Sequence, residues 1–255
     1  MSMSPRPFPT PSSLLPALRT HVWFGSCPEH MQLALTERAR LVTVKAGEML
    51  FARGEHHDGL YCVVAGALKV GSTDPRDGSL RLTLYLEPYH WFGEIALIDR
   101  QPRSQHALAD VDSTVLVVPR AQIEPWLDAH PECWRDIARL ACGKVRLMLT
   151  AMEDAATLPL QQVLARRLLF FATGFGQSTQ NEPRRHLRLP QEYLASMLGV
   201  SRQTVNKALR TLAREGVLAL HYAEIEIIDL PALVARAGQL DPGLAGRALP
   251  ANTTA

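Results

Sequence analysis

The spacing of apolar residues changes along the chain. From Leu14 to about Arg40 they recur at helical spacing, whereas from Leu41 to about Val118 they alternate in short runs separated by glycines. The runs typical of strands are LVTV, MLFA, LYCVV, ALKVG, LRLTLYL and STVLVV. Because many short strands joined by tight turns are typical of closed or double-sheet architectures, this region is predicted to be an antiparallel roll or barrel.

After Pro131 the helical spacing returns, and it predicts one long amphipathic helix. A heptad that starts at Trp134 has apolar residues at nearly every core position, and Lys144 is the exception. The a and d positions are Trp134, Ala141, Met148 and Ala155, and Ile137, Lys144 and Ala151. This stripe fits a dimer interface, which we favour, or a helix packed on its own roll. The segment LPLQQVLARRLLFFATGF predicts a further helix ended by Gly174 and Gly176.

The segment LRLPQEYLASMLGVSRQTVNKALRTLAREGVL predicts two helices joined by a tight turn. A proline starts the first helix, Gly199 supplies the turn, and Ser201 caps a second helix that runs to about Glu215. The apolar residues that would pack the pair together are Leu194, Ala195, Leu198, Val205, Leu209 and Leu212. Downstream, GVLALHYAEIEIID alternates as two short strands around Tyr222 and Ala223, which predicts a wing.

The outer face of the second helix carries side chains of the types that read the major groove of DNA. They are Ser201, Arg202, Gln203, Thr204, Asn206, Lys207 and Arg210. Arg and Lys reach guanine, Asn and Gln pair with adenine, and hydroxyl groups hold phosphates. We therefore predict a helix-turn-helix that binds double-stranded DNA, and a helical hairpin with a merely solvated charged face is the alternative.

The distribution of charge agrees with this prediction. Residues 160–225 carry nine Lys or Arg and four Asp or Glu, whereas the first 159 residues carry sixteen basic and eighteen acidic ones. A basic C-terminal part is what binding to phosphates requires. The sequence has neither a membrane-spanning run nor a secretory signal, so a cytoplasmic location and no membrane partner are expected.

The cysteines and the N-terminus give no further site. The four cysteines, at positions 27, 62, 133 and 142, lie far apart in sequence and form no CxxC pair, so we predict neither a disulfide nor a metal site. Residues 1–13 hold four prolines and are predicted to be a disordered arm.

From about Leu14 to Leu230 the chain resembles the CRP/FNR superfamily of regulators. The matching motifs are KAGEMLFARGEHHDGLYCVVAGALKV, WFGEIALIDRQPRS and LGVSRQTVNKALRTL. The resemblance implies an α+β fold with an N-terminal cyclic-nucleotide-binding-type β-roll (jelly roll), a long central dimerisation helix and a C-terminal winged helix-turn-helix. The expected boundaries are 14–130 for the roll, 131–157 for the helix, 158–232 for the DNA-binding domain and 233–255 for a C-terminal tail.

The resemblance also implies an effector site in the roll. In the cassette that includes Ile95 and Ala96, Gly93 and Glu94 resemble residues that hold a nucleotide ribose, and Arg103 and Ser104 resemble those that hold its cyclic phosphate. Met148 and Leu149 fall where cAMP-binding relatives place hydroxyl residues that recognise adenine. The ligand is therefore left open between cAMP, cGMP, cyclic di-GMP and none, because Glu94 and Arg103 would also satisfy each other as an ion pair.

On the DNA side, Arg202, Gln203 and Lys207 occupy the places from which the family reads base edges. Gln203 stands where the cAMP-responsive members have an acid, so a shifted half-site is expected. The implied protein is a homodimer on a palindromic operator, gated by an effector and contacting RNA polymerase. The alternative is an effector-independent regulator whose roll is a dimerisation and polymerase-contact scaffold.

Other classes of function lack their motifs. No P-loop, GxSxG or HExxH occurs and the histidine spacing of cupin metal sites is missing, so we predict no catalytic residues and no enzyme. Iron–sulfur members of the superfamily use an N-terminal cysteine cluster, and here only Cys27 lies in that region. Haem binding through His56, His57 or His106 is left open.

Overall fold

The structure, a computed structural model, describes residues 10–56, 59–174 and 183–240. The chain divides into two compact units. The first unit contains the residues up to Val70 together with Tyr85–Cys142, and the second contains Gly71–Leu84 and the residues from Gly143 onward. None of the helices in these described ranges is both long enough and apolar enough to cross a membrane.

Short helices precede and interrupt the strands of the first unit. A 3₁₀ turn, Pro11–Leu14, leads into α1 (Leu15–Leu18), α2 (Val22–Ser26) and α3 (Glu29–Glu37), and α4 (Glu94–Asp99) and α5 (Arg120–Ala129) follow later. The Pro11–Leu14 turn begins inside the predicted arm, whose residues 1–9 lie outside the described part of the chain. The helical spacing before residue 40 is confirmed, and it is divided among three helices.

Eight strands form two antiparallel sheets. The strands are β1 (Arg40–Val44), β2 (Met49–Phe51), β3 (Gly59–Ala65), β4 (Leu68–Thr73), β5 (Leu80–Leu86), β6 (Trp91–Phe92), β7 (His106–Ala109) and β8 (Ser113–Pro119). One sheet has the order β1-β8-β3-β6 and the other β2-β7-β4-β5. In the first sheet Arg40 pairs with Val117 and Tyr61 pairs with both Val117 and Phe92. The predicted antiparallel roll is confirmed.

The six predicted strand runs all form strands, but β6 and β7 were not predicted. The β6 strand is only two residues long, and β7 contains alanines at alternate positions, so neither carries the bulky apolar alternation of an isolated strand signal. Their place in the sheets comes from pairing. Tyr61 of β3 lies opposite Phe92, and Met49 of β2 lies opposite Leu108.

The core of the first unit is rich in aromatic residues. The rings of Phe24 and Trp91 stack with centroids 5.0 Å apart, and both side chains are buried. The indole of Trp23 donates a hydrogen bond of 2.6 Å to the backbone carbonyl of Asp136. Since buried aromatic rings contribute large apolar areas, this cluster fixes the N-terminal helices on the roll.

The long predicted helix is α6 (Glu132–Thr157). Its first half packs into the core of the first unit, where Cys133, Ile137 and Leu140 are buried. Ile137, which the heptad assigned to a dimer interface, therefore packs within the chain, because the aromatic core covers this part of the helix. The second half presents an exposed apolar stripe, formed by Val145, Met148, Leu149 and Met152. These positions follow the i, i+3, i+4, i+7 spacing of one helix face.

The second unit contains α7 (Leu160–Ala172), α8 (Gln191–Leu198), α9 (Arg202–Arg214) and α10 (Leu230–Ala237), with a sheet of β9 (His186–Leu187), β10 (Leu218–His221) and β11 (Glu224–Ile227). Helix α7 ends shortly before Gly174, and Gly176 lies outside the described residues. Helix α10 crosses the predicted boundary at 232. It packs on α7, where Gln162 and Arg166 donate hydrogen bonds of 3.1 and 2.9 Å to the carbonyl of Ala237.

Candidate functional site

Helices α8 and α9 are joined by the tight turn that the sequence predicts. Gly199 ends α8 with a φ of 64°, a left-handed conformation that glycine adopts without the steric cost of a Cβ. Two residues later Ser201 caps α9, and its hydroxyl accepts a hydrogen bond of 3.1 Å from the backbone N–H of Thr204. Local residues therefore fix the angle between the two helices.

Removing this cap is expected to destabilise the protein. We expect Ser201→Ala to lower the free energy of unfolding by about 1 kcal/mol, because the backbone N–H of Thr204 loses its acceptor. Urea denaturation followed by circular dichroism measures the change. Ser201→Asp is the control, since aspartate caps as well as serine, and an equal loss in both variants would contradict the capping role.

Helix α9 has one apolar face and one cationic face. Val205, Ala208, Leu209 and Leu212 are buried, whereas Arg202, Gln203, Thr204, Lys207 and Arg210 are exposed. The helix carries four basic residues and no acidic one. An open depression along this face is lined by Arg202, Gln203, Asn206, Lys207, Arg210, Ala213 and Arg214. The exposed face thus carries hydrogen-bond donors and positive charge, which suits a polyanion.

Two residues on this face differ from the rest. Asn206 is half-buried, and its amide donates a hydrogen bond of 2.7 Å to Gln191 at the start of α8. Part of its hydrogen-bonding capacity is therefore used within the protein. Arg214 was not predicted as a site residue, yet it lies in the last turn of α9 and lines the same depression. Extending the i, i+3, i+4 spacing from Lys207 and Arg210 to position 214 would have found it.

The predicted wing is confirmed as an antiparallel hairpin. Its register pairs Leu218 with Ile227 and His221 with Glu224, which leaves Tyr222 and Ala223 as the two-residue turn. Tyr222 is fully exposed. The structure adds the third strand, β9, in which Leu187 pairs with Ile225. The His186 imidazole hydrogen-bonded to Glu224 is the main cause that lowers the pKa of that carboxyl.

In the roll, the structure brings Gly93 and Arg103 together. The Arg103 guanidinium is buried and donates hydrogen bonds of 3.1 Å to the carbonyl of Gly93 and 3.1 Å to that of Gly59. The Cζ atom of Arg103 lies 4.5 Å from the ring centre of Phe51 and 4.9 Å from that of Tyr61. Carbonyl dipoles and aromatic faces both favour a cation, so this cradle holds the guanidinium in one orientation.

The other residues of the predicted effector site lie in different settings. Glu94 and Ala96 are buried in α4, whereas Ile95 on the same helix is 55% exposed. Ser104 is exposed beside Arg103. Met148 is exposed on α6 and belongs to the second unit, so its place beside the cradle stays a prediction.

The cysteines and histidines considered for redox or haem sensing are also placed. Cys27 is buried, and burial is the main cause that raises the pKa of its thiol to about 12, so this thiol stays protonated at neutral pH. The Nδ1 atom of His106 accepts a hydrogen bond of 3.1 Å from the backbone N–H of Arg53. His57 lies outside the described residues.

Together, the capped helix pair, the cationic helix α9 and the hairpin define a DNA-binding protein of the winged helix-turn-helix class. Residues 41–130 match the family model of the cyclic nucleotide-binding domain, and residues 162–236 match that of the Crp-like helix-turn-helix domain. The chain belongs to the CRP/FNR superfamily of transcriptional regulators, as the sequence resemblance indicated, and its family is not one of enzymes.

Individual relatives agree with this assignment. A CRP-like cAMP-activated global transcriptional regulator of Mycobacterium tuberculosis is 30% identical over 204 residues, which cover 80% of this chain and 91% of the relative. A cyclic AMP receptor protein of Thermus thermophilus is 28% identical over 211 residues, or 81% and 91% of the two chains. The crystal structure of a CRP-family regulator from the same species has a TM-score of 0.61 at 26% identity and covers 78% of this chain and 97% of its own.

Proposed function

We propose that this regulator binds a palindromic operator as a homodimer and that a cyclic nucleotide in its roll controls the binding. The observation that carries the effector part is the buried Arg103 guanidinium, which touches the carbonyl of Gly93 at 3.1 Å. Gly93 begins the helix that carries the buried Glu94. In this proposal, Arg103 binds the anion and Glu94 binds the ribose, and Gly93 links the two residues.

The chemistry of these groups selects the class of ligand. In the proposed complex, Arg103 and the exposed hydroxyl of Ser104 bind the cyclic phosphate, and Glu94 accepts a hydrogen bond from a ribose hydroxyl. Ile95 and Ala96 lie on the same short helix and line the ribose side, and Met148 contributes an apolar contact to the base. Among cAMP, cGMP and cyclic di-GMP, we place cAMP first, because the two relatives named above are a cAMP-activated regulator and a cyclic AMP receptor protein.

For DNA, we propose that the first turns of α9 enter the major groove. Arg202, Gln203 and Lys207 contact base edges, and Ser201, Thr204, Asn206 and Arg210 position the helix on phosphates and neighbouring groups. Arg202 is the first residue of α9, and N-terminal residues of a recognition helix are those that reach base edges. Because Gln203 is an amide and offers both a donor and an acceptor, the operator has adenine at the corresponding base pair.

The apolar stripe on α6 supports the homodimer. Val145, Met148, Leu149 and Met152 are each more than half exposed on a single chain, and an exposed apolar stripe of this kind is typical of an interface. Pairing two such helices about a two-fold axis gives a homodimer whose recognition helices meet successive major grooves, about 34 Å apart. We also propose that the DNA-bound dimer contacts RNA polymerase and acts in the cytoplasm, where its operator lies.

The ligand would act by shifting a conformational equilibrium. A nucleotide that binds more tightly to the DNA-competent dimer raises the population of that dimer by its ratio of affinities for the two states. The competing proposal keeps DNA binding but treats the roll as a scaffold for dimerisation and polymerase contact. The two proposals differ in whether any nucleotide changes the affinity for the operator.

Isothermal titration of the purified protein with cAMP, cGMP and cyclic di-GMP tests the effector proposal. We expect one nucleotide to bind saturably and Arg103→Gln to weaken it by roughly 10- to 100-fold, because a hydrogen bond to a charged group is worth about 1.5–3 kcal/mol. Ser104→Ala, at an exposed position, tests the same site without touching the core. Arg100→Ala is the control, since Arg100 pairs with Glu124 at the surface. Absence of binding by all three nucleotides, with operator binding intact, would favour the scaffold.

A further inference from the structure

Three potential metal ligands meet where two helices of the first unit begin. His30 lies in the first turn of α3, and Glu132 and Cys133 are the first two residues of α6. Their ligand atoms all lie within 4.8 Å of one another. Since His30 is about a hundred residues away from the other two in sequence, no motif predicts this cluster, and the sequence analysis predicted no metal site.

The imidazole Nε2 of His30 faces both partners. It lies 3.5 Å from Sγ of Cys133 and 3.9 Å from Oε1 of Glu132. Imidazole, thiolate and carboxylate are the three ligand types that zinc takes in proteins. Without a metal, the Cys133 thiol and the His30 imidazole lie at the distance of a weak hydrogen bond, and the His30–Glu132 contact is at the surface, so these contacts contribute little to stability.

The distance between His30 and Cys133 fits a tetrahedral centre, and Glu132 lies near enough to join them after a change of rotamer. With Zn–N of about 2.0–2.1 Å and Zn–S of about 2.3 Å, two ligand atoms at the tetrahedral angle lie about 3.5 Å apart. The separation of the histidine nitrogen and the cysteine sulfur has this value. The carboxylate oxygen of Glu132 must move closer to His30 by about half an ångström to reach Zn–O of about 2.0–2.2 Å. Its side chain is 64% exposed, so it has room to rotate.

We propose that His30, Glu132 and Cys133 bind one zinc ion per chain. Cys133 is fully buried and closes the inner side of the site, whereas the side chain of His30 is 52% exposed. The fourth coordination position therefore faces solvent and takes a water molecule. The His30 ring lies against Trp126 and His130, with ring centres 5.8 and 5.9 Å away, and these rings limit how far the imidazole swings.

Bound zinc would join the start of α3 to the start of α6. Helix α6 continues into the exposed stripe that we assign to the dimer, so the ion holds the base of that helix on the roll. The site itself does not depend on nucleotide or DNA binding. Because a metal that binds only the folded chain stabilises it, the temperature of unfolding rises with free zinc.

Titration of the full-length, metal-free protein with Co²⁺ tests the site. Cobalt replaces zinc in tetrahedral sites, and a thiolate ligand adds a charge-transfer band in the near ultraviolet to the visible d–d bands. We expect one equivalent per chain to saturate both signals, Zn²⁺ to remove them by competition, and Zn²⁺ to raise the temperature of unfolding. The absence of a thiolate-to-cobalt band in the unmodified protein would overturn the proposal.

Matched variants assign the ligands. Cys133→Ser should abolish the charge-transfer band, whereas Cys142→Ser should leave it unchanged, because Cys142 is exposed and lies outside the cluster. His30→Ala changes an exposed side chain, so it should fold normally and weaken cobalt binding by at least tenfold. Unchanged cobalt spectra in His30→Ala, or a band lost in Cys142→Ser and kept in Cys133→Ser, would overturn the assignment.

Discussion

Replacing Arg202 with alanine is expected to weaken operator binding by roughly 10- to 100-fold and to relax specificity at one base pair of each half-site. An arginine that contacts a guanine through two hydrogen bonds is worth about 1–3 kcal/mol of discrimination. Arg202 is the first residue of α9 and is exposed, so its replacement removes the proposed base contact and leaves the packing of the helix unchanged. Binding to unrelated DNA should fall far less.

Fluorescence anisotropy on an operator obtained by selection from random duplexes measures the effect. Arg214→Ala is the informative comparison, because Arg214 lies at the other end of α9. It should weaken binding to all sequences alike, and the slope of the logarithm of the binding constant against the logarithm of the salt concentration should fall in magnitude by about one. Arg100→Ala, which removes the same charge from the surface of the roll, should bind like the unmodified protein. Equal loss on operator and unrelated DNA in Arg202→Ala would contradict a base-reading role.

Replacing Gly93 with alanine is expected to lower the free energy of unfolding by about 2–5 kcal/mol and to abolish the nucleotide binding proposed for the roll. Gly93 has a φ of 95°, and an added Cβ would lie 2.7 Å from the carbonyl oxygen of Gly59, 2.8 Å from the ring of Tyr61 and 3.0 Å from the Arg103 guanidinium. A left-handed non-glycine residue costs about 1–2 kcal/mol, and forcing an atom into a packed site costs about 1–3 kcal/mol more.

Gly47→Ala separates these two terms. Gly47 also has a positive φ, of 81°, but an added Cβ meets nothing within 4 Å. This variant should therefore lose only the conformational part, about 1–2 kcal/mol, and should keep the effector site. Urea denaturation and nucleotide titration of the two variants give the comparison. If both variants lost the same free energy of unfolding, the close packing around Gly93 would make no contribution to the cost of the substitution.

The face of α9 and the site around Arg103 differ in how well the sequence predicts them. The cationic face of α9 is built locally, since Ser201 caps the helix that carries Arg202 and Lys207, and the spacing of its apolar residues determines which side chains point outward. The same holds for the turn at Tyr222 and Ala223. Sequence patterns predict such features because neighbours along the chain determine them.

The parts of the fold that were missed depend on distant partners. The short strands β6 and β9 form because β3 and β11 lie beside them, and two residues carry too little periodicity to predict a strand. The division of α6 between a buried and an exposed half has the same origin. Ile137 and Met148 have similar places in the heptad, and only the aromatic core of the roll decides which of them is covered.

By itself the sequence determined the order of the two domains, the roll, the winged helix-turn-helix, the polar face of α9 and the superfamily. Tertiary structure decided that Arg103 is buried against the carbonyls of Gly59 and Gly93, and that His30 meets Cys133. The physical reason is the range of the interactions. Periodicity, caps and turns act over a few residues, whereas a cradle or a metal site needs atoms that only the folding of distant segments brings within hydrogen-bonding or coordination distance.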